Sequence, residues 1–355
     1  MTSNFSEDAS DFKCDNLIDS FHTRYVSIHG WASLIVCLFG SIANGLNIAV
    51  LTRREMTSPT NAILTGLAVA DMLVMMEYIP YAFHSYLYQR PKSETFTYGW
   101  AVFVLVHSNF AQIFHTISIW LTVTLAVWRY IAVAHPQKNR QWCSYKNTIY
   151  AIIGAYIICP IICVPLYVST EIRSTNVTLN RMGFEVNLTN LTNLTNLGYK
   201  KDEVFYNVTL YMVKMTESAK KGALEKLNFL IYGVVIKLIP CVALTILSLR
   251  LILALVEAKK RRKKLTNQTI VKMEESNQQV KIHQEAKNKK TSRCMDKEKQ
   301  TDRTTRMLLA VLLLFLITEF PQGTMGLLSI LLGESFFKTC YLKLGKKGQY
   351  LLYLY

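Results

Sequence analysis

Six long apolar segments constrain this chain more than any other feature of its sequence. A helix needs about 20 mostly apolar residues to cross the hydrocarbon core of a bilayer. We predict membrane-spanning helices at about 25–52, 60–84, 97–131, 147–169, 227–256 and 307–333. A soluble core does not need six such segments, so the sequence predicts an all-α membrane protein with a helix bundle over 25–333.

The distribution of charge predicts the orientation of the bundle. Segment 257–306 holds sixteen Lys and Arg against seven Asp and Glu, whereas residues 1–24 hold five acids and two bases. Because Lys and Arg accumulate in cytoplasmic loops, 257–306 is predicted to be a basic cytoplasmic loop and 1–24 an extracellular N-terminus. The net charge of +16 therefore reports topology and not a nucleic-acid partner. We expect a multi-pass protein of the plasma membrane.

The basic loop opens with six consecutive cations at 259–264. Such a cluster is attracted to anionic lipid of the inner leaflet, so we expect membrane lipid as a partner. The rest of this loop is rich in Lys, Gln and Asn, and its composition is typical of disorder.

Glycosylation triplets agree with this orientation. Six Asn-x-Ser/Thr triplets fall in segments predicted to be outside, and they begin at Asn4, Asn176, Asn187, Asn190, Asn193 and Asn207. We expect 170–226 to be a glycosylated extracellular loop, unstructured around the tandem repeat at 187–195. A seventh triplet at Asn267 lies in the basic loop and is expected to stay unmodified.

The cysteines and the remaining motifs indicate no catalytic or metal site. Cysteines inside the spans are expected to be small buried apolar residues, and Cys143 and Cys294 to face the cytosol. Cys14 and Cys340 could meet outside, and their pairing stays open. We find no nucleophile–base set, phosphate loop or metal-ligand spacing, so we expect no enzymatic activity and no cofactor.

Several motifs in the spans resemble those of rhodopsin-like (class A) G-protein-coupled receptors. Asn44 lies in Gly-Ser-Ile-Ala-Asn, Asp71 ends Leu-Ala-Val-Ala-Asp, and Trp128-Arg129-Tyr130 stands where the family usually has Asp/Glu-Arg-Tyr. Pro240 and Pro321 lie near the middle of the fifth and sixth spans. The resemblance implies a seven-transmembrane-receptor-type bundle.

A narrower resemblance is carried by 50–61, by Trp128-Arg-Tyr and by Thr318-Glu-Phe-Pro-Gln-Gly323. These segments look like nematode serpentine receptors of class w, which are related to myosuppressin and FMRFamide-like peptide receptors. We place the likeness at 25–333 and none beyond. It implies a receptor for an extracellular neuropeptide that signals through a heterotrimeric G protein.

The resemblance also assigns two internal sites. Asn44, Asp71 and Ser118 would form a sodium or polar pocket, although a protonated Asp71 could simply bond neighbouring helices together. Arg129 and Tyr130 would form the G-protein switch. The alternative for Arg129 is an ordinary cytoplasmic anchor with Trp128 as an interfacial aromatic.

Ionisable residues near the membrane midplane suggest a ligand site. Lys237 and Glu319 lie at similar depth, and a charge left alone there is costly. They could form an ion pair, or Glu319 together with Glu77 could receive a cationic ligand group, such as the Arg of an Arg-Phe-amide peptide, through charge-assisted hydrogen bonds. Both alternatives stay open. The candidate ligand contacts are Glu77, His107, Gln112, His115, Lys237, Glu319 and Gln322.

The chain also departs from the family pattern. Val104 stands where the family has a cysteine, and 166–226 contains no cysteine that could pair with it. The tail at 334–355 has no segment long enough to span and no Asn-Pro-x-x-Tyr motif, so the seventh helix is expected to be missing or atypical. A truncated isoform that modulates a full-length receptor, a small-molecule chemosensory receptor and a transporter remain alternatives, and a receptor dimer stays open.

Overall fold

The computed structural model describes residues 16–180 apart from 89, then 206–217 and 223–274, and, within 310–331, residues 310, 313, 314, 316–321, 323, 324, 327, 328 and 331. Five helical segments there are long and apolar enough to cross a membrane: Ile28–Leu51, Pro59–Leu87, Tyr98–Ala134, Tyr145–Val168 and Lys226–Glu257. They correspond to the first five predicted spans. The described residues of 310–331 are helical, at the place of the sixth.

The chain is built from nine named helices and one hairpin in its described part. In order these are α1 (Asn16–Leu51), α2 (Pro59–Ala82), α3 (Lys92–Thr95), α4 (Tyr98–Ala134), α5 (Pro136–Trp142), α6 (Tyr145–Ile162), α7 (Val164–Val168), β1 (Thr170–Leu179), β2 (Tyr206–Met215), α8 (Ala223–Phe229) and α9 (Ile239–Glu274). A short 3-10 turn (Arg54–Met56) precedes α2, and π-helical segments follow α2 (Phe83–Leu87) and join α8 to α9 (Leu230–Leu238).

Capping side chains explain where three of the spanning helices begin. Ser58, Thr97 and Ser144 each accept a hydrogen bond from the backbone N–H three residues further on. This satisfies one of the amide groups that the first turn of a helix leaves unpaired. In α2 the first helical residue is Pro59, whose fixed φ suits that position.

The fifth span widens before its proline. Pro240 has no N–H to donate to the carbonyl of Ile236, and its ring crowds that carbonyl, so a regular α-helix is disfavoured there. The preceding segment, Leu230–Leu238, is π-helical, and within it Ile236 and Lys237 are buried. The sequence therefore places Lys237 in a distorted turn that points into the bundle.

Helix α4 lies at the centre of the bundle and contacts α2, α6 and α9. One buried core joins the second, third and fourth spans: Ile63, Ala70, Ile117, Leu121, Leu125 and Cys159. Gly66 allows the close approach, because a Cβ there would come within 3.3 Å of Ile152 and 3.4 Å of Leu121. Its carbonyl accepts a hydrogen bond of 2.9 Å from Tyr156.

The segment at 170–226 contains a β-hairpin, which the sequence did not lead us to expect. Strands β1 and β2 pair antiparallel over ten residues each, from Thr170 opposite Met215 to Leu179 opposite Tyr206. Strand β1 contains several Thr residues with Ile and Val, and β2 contains two Val and two Tyr residues, types that suit a pleated, half-buried surface. The repeat at 187–195 lies outside the described residues.

The hairpin is fastened to the chain at the N-terminal end of α4. The N–H of Tyr211 donates to the carbonyl of Phe96 over 2.9 Å. Val213 shares a buried cluster with Val104 and Tyr81, so an apolar contact occupies the position where a cysteine was expected from the resemblance. On the opposite face from Val213, Arg173 donates to Glu171 and Glu217, and these hydrogen bonds raise the pKa of its guanidinium.

Two helix boundaries and the burial of one cysteine also differ from expectation. Helix α1 begins at Asn16, inside the predicted N-terminal segment, and α9 continues to Glu274, inside the predicted loop 257–306. Residues 258–274 contain no Gly or Pro and are rich in Lys and Arg, which favour helix. Cys143 is buried rather than open to the cytosol, and burial raises the pKa of its thiol.

Candidate functional site

A central charge cluster, formed by His115, Lys237 and Glu319, joins the third, fifth and sixth spans. Lys237 Nζ lies 2.8 Å from His115 Nε2 and donates to Glu319 Oε2. His115 Nε2 lies 3.4 Å from Glu319 Oε1. Both carboxylate oxygens of Glu319 are thus engaged, and the ion pair that was one of two alternatives is present.

The sixth span approaches the fifth closely enough for this pair because of Gly323. A Cβ at this position would lie 3.0 Å from the Cβ of Lys237 and 3.1 Å from the side chain of Leu238. Lys237 is 1% exposed and Glu319 6% exposed. Each charge therefore depends on its partner, since solvent contributes little there.

Part of the predicted polar pocket is assembled beside this cluster. Ser118 donates to Asp71 Oδ1 over 2.7 Å. Asn44 directs its amide to Met75 Sδ, 3.8 Å away, and makes no recorded bond to Asp71. Ser118 follows His115 by about one turn of α4, on the same face, so polar groups continue from Asp71 to the central charge cluster.

An outer acid–histidine pair, Glu77 and His107, joins the second and third spans. His107 Nδ1 contacts Glu77 Oε1, and His107 is 1% exposed. The other carboxylate oxygen, Glu77 Oε2, is buried and has no hydrogen-bond partner in the described part of the chain. Among the described residues, one oxygen of Glu77 therefore has no partner, whereas both oxygens of Glu319 have one.

Aromatic rings surround the outer pair. The ring of His107 stacks on Tyr81 at 4.4 Å and lies parallel to Phe103 at 6.0 Å. Trp100 also stacks on two rings here: its ring centroid lies 6.4 Å from that of Tyr81 and 3.5 Å from that of His84. Tyr81 is buried, so it belongs to this packed group and not to a lipid-facing belt.

One candidate of the third span, Gln112, belongs to neither of these two clusters. Gln112 lies between them, 5% exposed, and donates to Thr116 Oγ1 over 3.2 Å. Its Oε1 has no partner among the described residues. The other polar candidates of α4 thus belong to two separate clusters and do not line one continuous pocket. Gln322 lies outside the described residues.

At the other end of α4, Trp128 binds a neighbouring helix. Its Nε1 donates to Thr148 Oγ1 of α6 over 2.9 Å, so Trp128 is not merely an interfacial aromatic. Among the described residues no carboxylate forms an ion pair with Arg129. Tyr130 contacts the ring of His135 edge-on at 5.9 Å.

Two features of the site escaped sequence reasoning. Nothing local in the sequence marks Thr148 as the partner of Trp128. The pairing of Glu77 with His107 could have been found by depth, because each lies a similar distance from the predicted outer end of its span.

Of the predicted glycosylation sites, Asn176 and Asn207 lie in the hairpin, while Asn4, Asn187, Asn190 and Asn193 lie outside the described residues. Cys14, Cys340 and the tail at 334–355 lie outside them too.

Several known proteins resemble this chain, two of those described here over most of its length. The G-protein coupled receptor dmsr-1 of Caenorhabditis elegans is 29% identical over 92% of this chain and 63% of its own length. The Sex peptide receptor of Drosophila melanogaster is 25% identical over 83% of this chain and 58% of its own. The FMRFamide receptor of the same fly is 31% identical over 34% and 22% respectively. The chain thus spans less than two thirds of the length of these relatives.

A sequence model of one family covers most of the chain. The family is described as serpentine type 7TM GPCR chemoreceptor Srw, and it matches residues 31–352. The match continues past 333, so our expectation that the likeness ends there is wrong. These relatives are receptors, in agreement with the expectation that the chain is not an enzyme, and the apolar helices make it a multi-pass membrane protein. The chain belongs to the serpentine type 7TM GPCR chemoreceptor Srw family.

Proposed function

We propose that this protein is a plasma-membrane receptor for an extracellular peptide, with its N-terminus outside, and that it signals through a heterotrimeric G protein. The names of its relatives support this class, since they include a sex peptide receptor and an FMRFamide receptor. The charge difference between 1–24 and 257–306 supports the orientation.

The observation that carries the ligand proposal is the free acceptor of Glu77. Glu77 Oε2 is buried without a hydrogen-bond partner among the described residues, and His107, which contacts the other oxygen of Glu77, stacks on Tyr81. A carboxylate next to a group of stacked aromatic rings suits a guanidinium, which binds carboxylates by charge-assisted hydrogen bonds and rings by stacking. The Arg of an FMRFamide-like or myosuppressin-like peptide would supply this group.

This assignment changes the roles of the other candidate residues. Glu319, Lys237 and His115 satisfy one another, so they would link the fifth and sixth spans and respond to the ligand through helix movement. His107 would hold Glu77 in place, and Gln112 and Gln322 would remain secondary candidates. Asp71 with Ser118 would act as a polar pocket, since Asn44 is directed elsewhere.

The cytoplasmic part of the proposal rests on Arg129 and Tyr130. Arg129 has no acidic neighbour in the sequence, because Trp128 takes that place and bonds to Thr148. Its release toward a G protein would therefore not require the breaking of a local ion pair. Binding of a ligand outside would shift the helix bundle between two arrangements and change access to Arg129.

A first experiment tests the class of ligand. Cells that express the full chain would be exposed to amidated peptides ending in Arg-Phe, to the same peptides with a free carboxyl end, and to small aromatic amines. We expect G-protein activation by an amidated peptide. Activation by the amines alone would support the second candidate, a small-molecule chemosensory receptor, which the same arrangement of carboxylate and rings could serve.

Silence toward every ligand at normal surface expression would contradict the signalling role. Co-expression with a full-length relative would then test whether the chain changes the trafficking of that relative, as the truncated-isoform alternative requires.

A further inference from the structure

Two glycosylation triplets lie directly opposite each other in the hairpin. Both read Asn-Val-Thr, at 176–178 in β1 and at 207–209 in β2. The register pairs Asn176 with Thr209 and Thr178 with Asn207. Because side chains alternate along a strand, the two asparagines and the two threonines all lie on one face.

The hydrogen bonds between the triplets leave the glycan-accepting atoms free. Thr209 Oγ1 donates to Asn176 Oδ1 over 2.8 Å, and Thr178 Oγ1 donates to Asn207 Oδ1 over 2.7 Å. Both bonds use the amide oxygen, whereas a glycan is attached to Nδ2, which makes no hydrogen bond to other described residues. Asn176 and Asn207 are exposed. The folded hairpin can therefore carry both glycans and keep both cross-strand bonds.

The same face contacts the helix bundle at its other end. Val213 is buried with Val104 and Tyr81, and the ring of Tyr211 meets that of Tyr98, at the start of α4, edge-on at 5.4 Å. Asn207 is four residues beyond Tyr211, which at ~3.3 Å per residue places it about 13 Å further along the strand. The exposed triplets thus lie just beyond the outer end of the third span.

We propose that Asn176 and Asn207 are both glycosylated, and that the two glycans stand side by side and shield this face of the hairpin from other macromolecules. In each transfer, Nδ2 loses a proton and forms a bond to C1 of the first sugar of a polyprenyl-diphosphate-linked oligosaccharide. The bond from C1 to the diphosphate oxygen breaks, and the polyprenyl diphosphate leaves. The proposal rests on the extracellular placement of the hairpin.

Occupancy is tested in a chain whose other outer sites, Asn4, Asn187, Asn190 and Asn193, are changed to Gln. Digestion with peptide-N-glycosidase should then remove two glycans, as read from intact mass. Adding Asn176→Gln should leave one, as should adding Thr209→Ala, whereas Thr209→Ser should leave both. A single glycan or none in the starting variant overturns the proposal. A glycan on Asn267 would identify a wrong membrane orientation as the reason.

Shielding is tested by labelling of introduced thiols with a bulky, membrane-impermeant maleimide. Ser174 is exposed on the glycan-bearing face, and Val208 lies on the opposite face within a triplet. Loss of both glycans through Asn176→Gln and Asn207→Gln should speed labelling of the Ser174→Cys variant several-fold and leave the rate for Val208→Cys unchanged. Equal rates with and without glycans in the Ser174→Cys variant overturn the shielding.

Discussion

Lys237 and Glu319 form an ion pair inside the helix bundle, with Lys237 donating to one carboxylate oxygen while His115 lies beside the other. The two residues are 82 positions apart in the sequence and nearly inaccessible to solvent. This pair fixes the relation of the fifth span to the sixth. In the described part of the chain, the buried Glu77 Oε2 has no hydrogen-bond partner, in contrast to both oxygens of Glu319.

Breaking this pair should destabilise the protein strongly. The Glu319→Gln substitution leaves the ammonium of Lys237 buried without a counter-charge, and removal of one partner of a buried pair costs about 3–5 kcal/mol. We expect a lower thermal unfolding temperature of the purified receptor in detergent and less receptor at the cell surface.

The matched control removes both charges. A variant with Lys237→Met and Glu319→Leu has no unpaired charge, and such apolar replacements are often neutral or stabilising. It should unfold at a higher temperature than Glu319→Gln. If the double variant loses as much stability as the single variants Lys237→Met and Glu319→Leu lose together, the two residues are not coupled as the structure indicates.

The hydrogen bond between Trp128 and Thr148 should be measurable by a double-mutant cycle. Trp128→Phe removes the donor and Thr148→Val removes the acceptor while shape is largely kept. Each should lower the free energy of unfolding by about 1 kcal/mol, and the double variant should lose less than the sum of the two. Fully additive losses would mean that the two side chains do not interact.

The apolar contact of the hairpin should contribute to stability in place of a disulfide. Val213 is 2% exposed in the cluster with Val104 and Tyr81. Val213→Ala should cost about 1–3 kcal/mol from lost burial and the cavity left behind. Val208→Ala, at a half-buried position of the same strand, should cost less. Equal effects on the thermal unfolding temperature would contradict an anchoring role for Val213.

Much of the fold follows from local composition. The membrane spans could be predicted because a long apolar segment indicates by itself that it lies in the membrane. The basic loops between such segments can likewise be recognised without knowing any contact between distant residues. The hairpin was missed because its strands, interrupted by Asn and Arg, lie in a segment whose triplet repeat suggested a loop. The pairing of Thr170 with Met215 joins residues 45 positions apart, which no local pattern reveals.

The candidate site was predicted in parts, without its pairings. Ionisable residues inside spans are rare, so Glu77, Lys237 and Glu319 stood out at once. Which of them meet depends on the rotation of each helix, and here the widened turn before Pro240 and the missing side chain of Gly323 decide it. Neither effect can be read from the apolar pattern, so Glu77 and Glu319 were assigned together although they belong to different clusters.

Binding of a cationic peptide group by Glu77 can be tested directly with matched peptides and receptor variants. The potency of an Arg-Phe-amide peptide that activates the receptor, and of its analogue with neutral citrulline in place of Arg, should be measured on the wild type, on Glu77→Gln and on Glu94→Gln. Glu77→Gln keeps an oxygen that can contact His107. Glu94, an exposed carboxylate in the segment between the second and third spans, serves as the control.

A charge-assisted pair contributes about 1.5–3 kcal/mol, so either change alone should lower potency roughly 10- to 100-fold. The citrulline analogue should lose no further potency on Glu77→Gln and should lose the full amount on Glu94→Gln. If citrulline weakens the peptide as much on Glu77→Gln as on the wild type, the cationic group binds elsewhere and the assignment of Glu77 is wrong.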